Sequence, residues 1–417
     1  MLAVDPRRTV AELKELRALT SDHDGAQRVA WTPMWLRARE WFTGKLAGLP
    51  GVDDHYDAAG NRWITVRGRS EKALVLGSHI DSVPNGGWLD GALGLMAALE
   101  TLRGFAGMPG GPPVTTRVVD FADEEGARFG RSVLGSSAFA GTHSIAQDRV
   151  KRDKDGVTME AALPACGVDI DCFADAERER EGAAAYLELH IEQGPVLEQL
   201  ALPLAAVLGT KGVERHKVTF VGQESHAGST PMSVRRDAFA AAAGFVLEVR
   251  EIARRTPDAV ATIGSVKTHP GIATAISGRC EITLDQRHLD ATVLAEMHAE
   301  ARKASAMIAH DEGCTVEWDR IWNIEPVRFH PHLIDLCGEA ISDVTGSASF
   351  ERLASGPLHD AAEVSRAGIP SVMLFVQLLG GISHNKIEDT REEHLELAIR
   401  AYAALAEKTA AWILGNA

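Results

Sequence analysis

Four short segments of the 417-residue chain concentrate histidine and acid. They are Gly77-Ser-His79-Ile-Asp81-Ser-Val-Pro-Asn-Gly-Gly-Trp-Leu-Asp90-Gly91, Asp123-Glu124-Glu125-Gly126, Glu188-Leu-His190-Ile-Glu192-Gln193-Gly194-Pro195 and Gly380-Gly-Ile-Ser-His384. Imidazole and carboxylate together suit Zn, Mn, Co or Ni, and the lack of cysteine in these segments argues against a structural thiolate zinc. A pair of such ions needs one bridging carboxylate and about two further ligands each. His79, Asp90, Glu125, His190 and His384 match that stoichiometry. Glu124, beside a ligand but aimed elsewhere, could take the proton from an activated water. Asp81, two residues beyond His79, could hold that imidazole's other nitrogen.

Each feature alone has a plainer reading. An isolated histidine such as His143 or His298 is usually a surface or packed residue. Glu124-Glu125 by itself could be a solvated acidic face, and the paired glycines could be only turns. The coincidence matters: all four clusters fall at inferred strand ends or glycine-bounded loops, and none reads as a solvated helix face. Spacing by itself leaves a metal centre and an ordinary set of turns both open. Other chemistries lack a motif. No G-x-S-x-G surrounds a serine, no cysteine has a suggestive setting, and no glycine-rich phosphate or dinucleotide fingerprint follows a strand.

The elements that would position these segments alternate. Ala73–Gly77 and Thr116–Phe121 read as buried strands, and the spacing predicts a helix over Gly91–Arg103. Such alternation implies an α/β, mostly parallel sheet, with ligands bound beyond the carboxyl ends of its strands. Gly104–Pro113 is a loop by composition, and Lys151–Glu181 reads as a long surface excursion. From Gly212 the order changes. His216–Val221, Ala259–Lys267, Ile276–Arg287 and Thr315–Trp318 read as strands, with helices over Ser233–Arg254 and Ala291–His310. That β-α-β-β-α-β succession is a split βαβ (ferredoxin-like) unit. A helix over His332–Thr345, a strand over Ser371–Phe375 and a helix from Glu392 then resume the first style. The expected domains are 1–211 with 323–417, interrupted by 212–322.

Composition bounds the class. The net charge of −15 argues against a nucleic-acid partner. No apolar run approaches a membrane span, and the first residues lack a signal-peptide pattern. Five scattered cysteines, with no CxxC, fit reduced thiols in a cytoplasmic protein.

Taken together, these segments resemble the M20-type dinuclear metallohydrolases, in particular their hydantoinase/carbamoylase branch. The resemblance begins at Asp57-Ala-Ala-Gly-Asn61. It continues through Gly77–Gly94, Asp123–Gly141 and Glu188–Glu198, then Ser225–Met232 with Arg236-Asp-Ala238, Leu284–Arg287, His359-Asp-Ala361 and Gly380–Glu388. The string His190-Ile-Glu-Gln-Gly-Pro195 is the most specific part. The resemblance implies that Asp90 bridges two divalent ions, that His79 and His190 complete one site, and that Glu125 and His384 complete the other. It implies Glu124 as general base and the inserted unit as a lid and homodimerisation domain. His226 of that unit would reach the partner's active site and polarise the substrate carbonyl. Gln193, Arg287, Thr274 and His359 would bind substrate, Arg287 by clamping a carboxylate. The implied reaction releases ammonia and carbon dioxide from an N-carbamoyl-L-amino acid or related ureido acid. The alternative is an allantoate or ureidoglycolate amidohydrolase, and a further one an aminoacylase or dipeptidase.

Three stretches depart from the family pattern. Thr274 and Ser277 stand where Asn and Pro are usual. Ser355-Gly-Pro-Leu-His359 replaces Gly-Ala-Gly-His, so Pro357 and Leu358 should narrow that wall. Lys386 adds a cation after His384.

Overall fold

The computed structural model of the protein describes residues 2–415. The chain divides into two compact units, Met1–Gly209 with Phe329–Ala417, and Thr210–Arg328. In the first, a sheet runs in the order Leu204–Thr210, Ser371–Val376, Ala183–Ile191, Ala73–His79, Thr115–Phe121, Arg62–Val66, Val52–Tyr56. The four strands from Ser371–Val376 to Thr115–Phe121 are parallel. The strands flanking them are antiparallel. The fold is therefore mixed α/β around a central, mostly parallel sheet.

Ala73–His79 is buried throughout, which is why it reads as an apolar run: a strand in a helix-covered parallel sheet has no solvated face. Helix Ala92–Ala106 packs on strands Ala73–His79, Thr115–Phe121 and Ala183–Ile191. Helices Pro6–Thr20 and Glu392–Gly415 cover it in turn, so its residues from Ala92 to Leu102 are buried. It continues to Ala106, three residues into the stretch read as a loop. Lys151–Glu181 is not a free surface excursion. It forms short helical turns whose Leu163, Ile170, Phe173 and Ala176 are buried, an anchoring that its charged residues mask in the sequence.

In the second unit the strand order is Val260–His269, Arg279–His288, Gly212–Val221, Thr315–Ile324, antiparallel throughout. Alternate residues of Arg279–His288 are buried, as a sheet covered on one face requires. Helices Ala238–Arg255 and Ala291–Asp311 bury Phe245, Val249, Ile252 and Met297 against Phe220, Ile282 and Leu284. The first helix begins at Ala238 rather than Ser233 because the Asp237 carboxylate caps it, accepting from the Phe239 and Ala240 amides. The last strand extends past Trp318 to Ile324, where it still pairs with Val213 across a bulge. Among the described residues no helix is long and apolar enough to cross a membrane.

Candidate functional site

Parallel strands end on one edge, and four of the five candidate ligands lie at or just beyond it. His79 closes its strand in register with Phe121, and His190 lies in register with Phe375. Glu124 and Glu125 follow the Phe121 strand within four residues of its end, separated by a tight turn. That turn is pinned where the Val133 and Leu134 amides donate to the Glu124 and Asp123 carbonyls. Asp90 precedes helix Ala92–Ala106 and is tied down by Glu388. One Glu388 oxygen accepts from the Leu89 and Asp90 amides at 3.0 and 3.1 Å, and the other accepts from Ser383 Oγ. Gly91 allows the approach of His79: at φ +62° and ψ −48°, a Cβ there would lie 2.3 Å from the imidazole. Asp123, Gln193 and His384 all have left-handed backbones, at φ +59°, +57° and +56°. Such strain at non-glycine residues gathers where a site over-determines its geometry.

Asp90 is the centre. Its Oδ1 lies 3.1 Å from His190 Nε2 and 3.9 Å from His79 Nε2, and its Oδ2 lies 3.3 Å from His384 Nε2. His384 Nε2 is also 3.4 Å from Glu125 Oε2. The ligand atoms form two triads that share Asp90: His79, Asp90, His190 and Asp90, Glu125, His384. The Nε2 atoms of His79 and His190 are buried and make no hydrogen bond, a costly state that a cation bound to their lone pairs would relieve. The donor set therefore fits divalent metal. His79 Nδ1 faces the Asp81 carbonyl at 3.1 Å, closer than the Asp81 carboxylate at 3.5 Å. That carboxylate accepts from the Glu124 and Glu125 amides, so Asp81 ties the base-bearing turn to the His79 strand.

Burial and crowding of like charge set the electrostatics. Burial pushes the Glu124 carboxyl well above its usual range, with Asp360, Glu125 and Asp81 adding to the effect against His79. Glu124 Oε2 lies 3.6 Å from His79 Nε2. Burial and Asp90 push Glu125 up to about 7. Asp90 is the exception: His190 and His384 outweigh its burial and hold it well below the usual range.

A cavity of about 180 Å³ opens over Asp90, Glu124 and Glu125, and Pro357, Leu358 and His359 form part of its wall. Gln193 Nε2 donates to Asp90 Oδ2 at 2.9 Å. His359 is buried, its ring 4.4 Å from that of His190. Burial and His190 hold it well below its ordinary pKa, so it is neutral. Lys386 does not enter the cavity: it reaches Asp24 at 3.7 Å and donates to the His23 carbonyl. In the second unit, His226 is exposed and its Nδ1 accepts from the Gly228 and Ser229 amides at 3.0 and 3.2 Å. That bonding leaves the proton on Nε2. Arg287 is engaged with Asp285, its Nε donating at 2.8 Å. Thr274 is exposed, and its carbonyl accepts from the Ala227 amide.

Two contributors escaped the sequence reading. Glu388 is visible only as an acid four residues beyond His384, with nothing to mark it as the clamp on Asp90. Arg28 carries no signal at all, yet it is fully buried, and its Nε donates to the Ile80 carbonyl at 2.8 Å. Burial pulls its pKa down against the attraction of Glu388, Asp81, Asp90 and Glu125, so it offsets part of the site's negative charge.

Comparison with known proteins finds relatives over most of the chain. Residues 75–408 match peptidase family M20/M25/M40. An N-carbamoyl-L-amino acid amidohydrolase of Geobacillus stearothermophilus is 35% identical, covering 88% of this chain and 90% of its own. An allantoate amidohydrolase of Bacillus subtilis is 32% identical over 93% of each chain. A crystal structure of a hydantoinase/carbamoylase family amidase from Burkholderia multivorans is similar at a TM-score of 0.89, with 32% identity and 98% of each chain covered.

Proposed function

The chain belongs to peptidase family M20/M25/M40, and we propose that it hydrolyses a linear, non-peptide C–N bond in an N-carbamoyl-L-amino acid or related ureido acid. Ammonia and carbon dioxide would be the products of the ureido end. The observation that carries this reading is the Asp90 carboxylate, flanked by His190 on one oxygen and His384 on the other, with Glu124 beside His79. Allantoate or ureidoglycolate is the second reading, supported by relatives that act on allantoate. An aminoacylase or dipeptidase activity is the third.

His79, Asp90 and His190 would hold one divalent cation, and Asp90, Glu125 and His384 a second, with Zn, Mn, Co or Ni as candidates. Such a pair supplies Lewis acidity toward a carbonyl and makes water nucleophilic at neutral pH. A ureido carbonyl needs that help, because two nitrogens donate into it. Glu124 takes the proton of the attacking water on a carboxylate oxygen and returns it to the departing nitrogen. Asp81 and Glu388 keep base and bridging carboxylate in place. Gln193, Arg287, Thr274 and His359 bind substrate, Arg287 through its planar fork. The inserted unit acts as a lid and dimerisation domain. There His226, kept as the Nε2–H tautomer, donates to the developing oxyanion of the partner's substrate. A cytoplasmic homodimer completes the reading.

The test strips metal with a chelator, restores Mn, Co, Ni or Zn separately, and measures ammonia release. The panel holds N-carbamoyl amino acids of both hands, β-ureidopropionate, allantoate and ureidoglycolate, with an N-acetyl amino acid and a dipeptide as controls. Metal-dependent release from a ureido compound is expected. Turnover of the N-acetyl amino acid or dipeptide alone would overturn the reading.

A further inference from the structure

The cavity is lined by two kinds of surface. Asp90, Glu124, Glu125 and the imidazoles of His190 and His384 make one part polar and charged, whereas Pro357 and Leu358 are hydrocarbon. The loop carrying them engages part of its polar groups internally. Pro357 has no N–H, and its carbonyl accepts from Ser355 Oγ at 2.9 Å. Ser355 Oγ also lies 2.9 Å from His359 Nε2. The hydroxyl has one proton, engaged on the Pro357 carbonyl, so the His359 ring is the donor to Ser355. That relay occupies the Pro357 carbonyl and the Ser355 hydroxyl, and the side chains of Pro357 and Leu358 offer the cavity hydrocarbon.

We infer that Pro357 and Leu358 seat an apolar side chain on the carbon next to the scissile ureido group. The preferred substrates are then N-carbamoyl amino acids with aliphatic or thioether side chains. Ureido acids that carry a second ureido group or a hydroxyl on that carbon are disfavoured. The inference rests on the amidohydrolase reading above and narrows it. The physical reason is an asymmetry. An aliphatic group leaves water for hydrocarbon and gains, whereas a second ureido group placed on the Pro357 and Leu358 side chains would surrender its hydration where those side chains offer its N–H and C=O groups no partner.

The test uses the full-length, metal-loaded protein and compares kcat/KM for N-carbamoyl-L-leucine, N-carbamoylglycine and allantoate. The wild type is expected to favour N-carbamoyl-L-leucine over both others by about tenfold or more, the usual reach of a hydrophobic subsite. In Leu358→Ser the leucine-to-glycine ratio should fall about tenfold, and in Leu358→Met it should stay within about threefold. Both substrates are measured on one preparation, so the ratio is unaffected by partial misfolding. Allantoate turned over ahead of N-carbamoyl-L-leucine would overturn the inference and leave the amidohydrolase reading standing. So would a leucine-to-glycine ratio unmoved in Leu358→Ser. Turnover of no ureido compound would overturn the amidohydrolase reading, and this inference with it.

Discussion

Glu124 and Gly91 show how much of the site depends on single atoms. Glu124 belongs to neither triad of ligand atoms, so its carboxylate is free for proton transfer. Glu124→Gln keeps the shape and removes the base. Metal content by elemental analysis should be unchanged, while kcat falls by about 10²–10⁴, the usual contribution of a general base. Normal turnover in that variant would remove Glu124 from the mechanism. Gly91→Ala acts differently. It forces a side chain into a backbone conformation open to glycine and places a methyl 2.3 Å from the His79 ring. A loss of about 1–3 kcal/mol in stability is expected from the strain, together with weaker metal binding measured by titration calorimetry. Unchanged metal affinity would mean that His79 can shift without consequence.

The elements explain why residues far apart in sequence meet, and they have their own sensitivities. Each ligand-bearing segment follows or ends a parallel strand, and the left-handed residues Asp123, Gln193 and His384 turn the chain back over the edge. In the inserted unit, helix Ala291–Asp311 sets His298 against His216 of strand Gly212–Val221, rings 4.3 Å apart and nearly parallel. Burial and the His216 imidazole hold His298 at about 4, down from an ordinary 6.5, with Arg302 and Arg320 adding to this against Glu214. Between those two values the unfolded chain binds a proton that the folded unit refuses. Stability contributed by neutral His298 is therefore present above about 6.5 and lost as the pH falls toward about 4. Denaturant midpoints measured across that window should fall less steeply for His298→Leu than for the wild type. Parallel curves would show that other groups carry the acid sensitivity.

At the scale of the whole molecule, every candidate ligand belongs to the unit formed by Met1–Gly209 and Phe329–Ala417. Ligand binding stabilises only what must fold to bind, so chelation should act on that unit. A loss of about 3–4 kcal/mol is expected for metal held at 100–1,000 times its dissociation constant. Hydrogen exchange should quicken in peptides covering residues 73–106 and 183–191 and stay unchanged in residues 238–311. Uniform acceleration would mean that the two units unfold together. The sequence alone was enough to single out the candidate residue types and part of the order of elements, but not strands such as Arg62–Val66 and Ala183–Ile191. Residue types such as His190 and Glu124 carry a metal-binding nitrogen or a proton-accepting carboxylate wherever they lie, and burial periodicity is a local property of each strand and helix. It could not determine that Glu388 grips the Asp90 backbone, that Arg28 is buried where four acids attract its charge, or that Lys386 turns away toward Asp24. It also missed the burial of Phe173 within a charged stretch. Those outcomes depend on distances between segments tens to hundreds of residues apart, which only the packed chain sets.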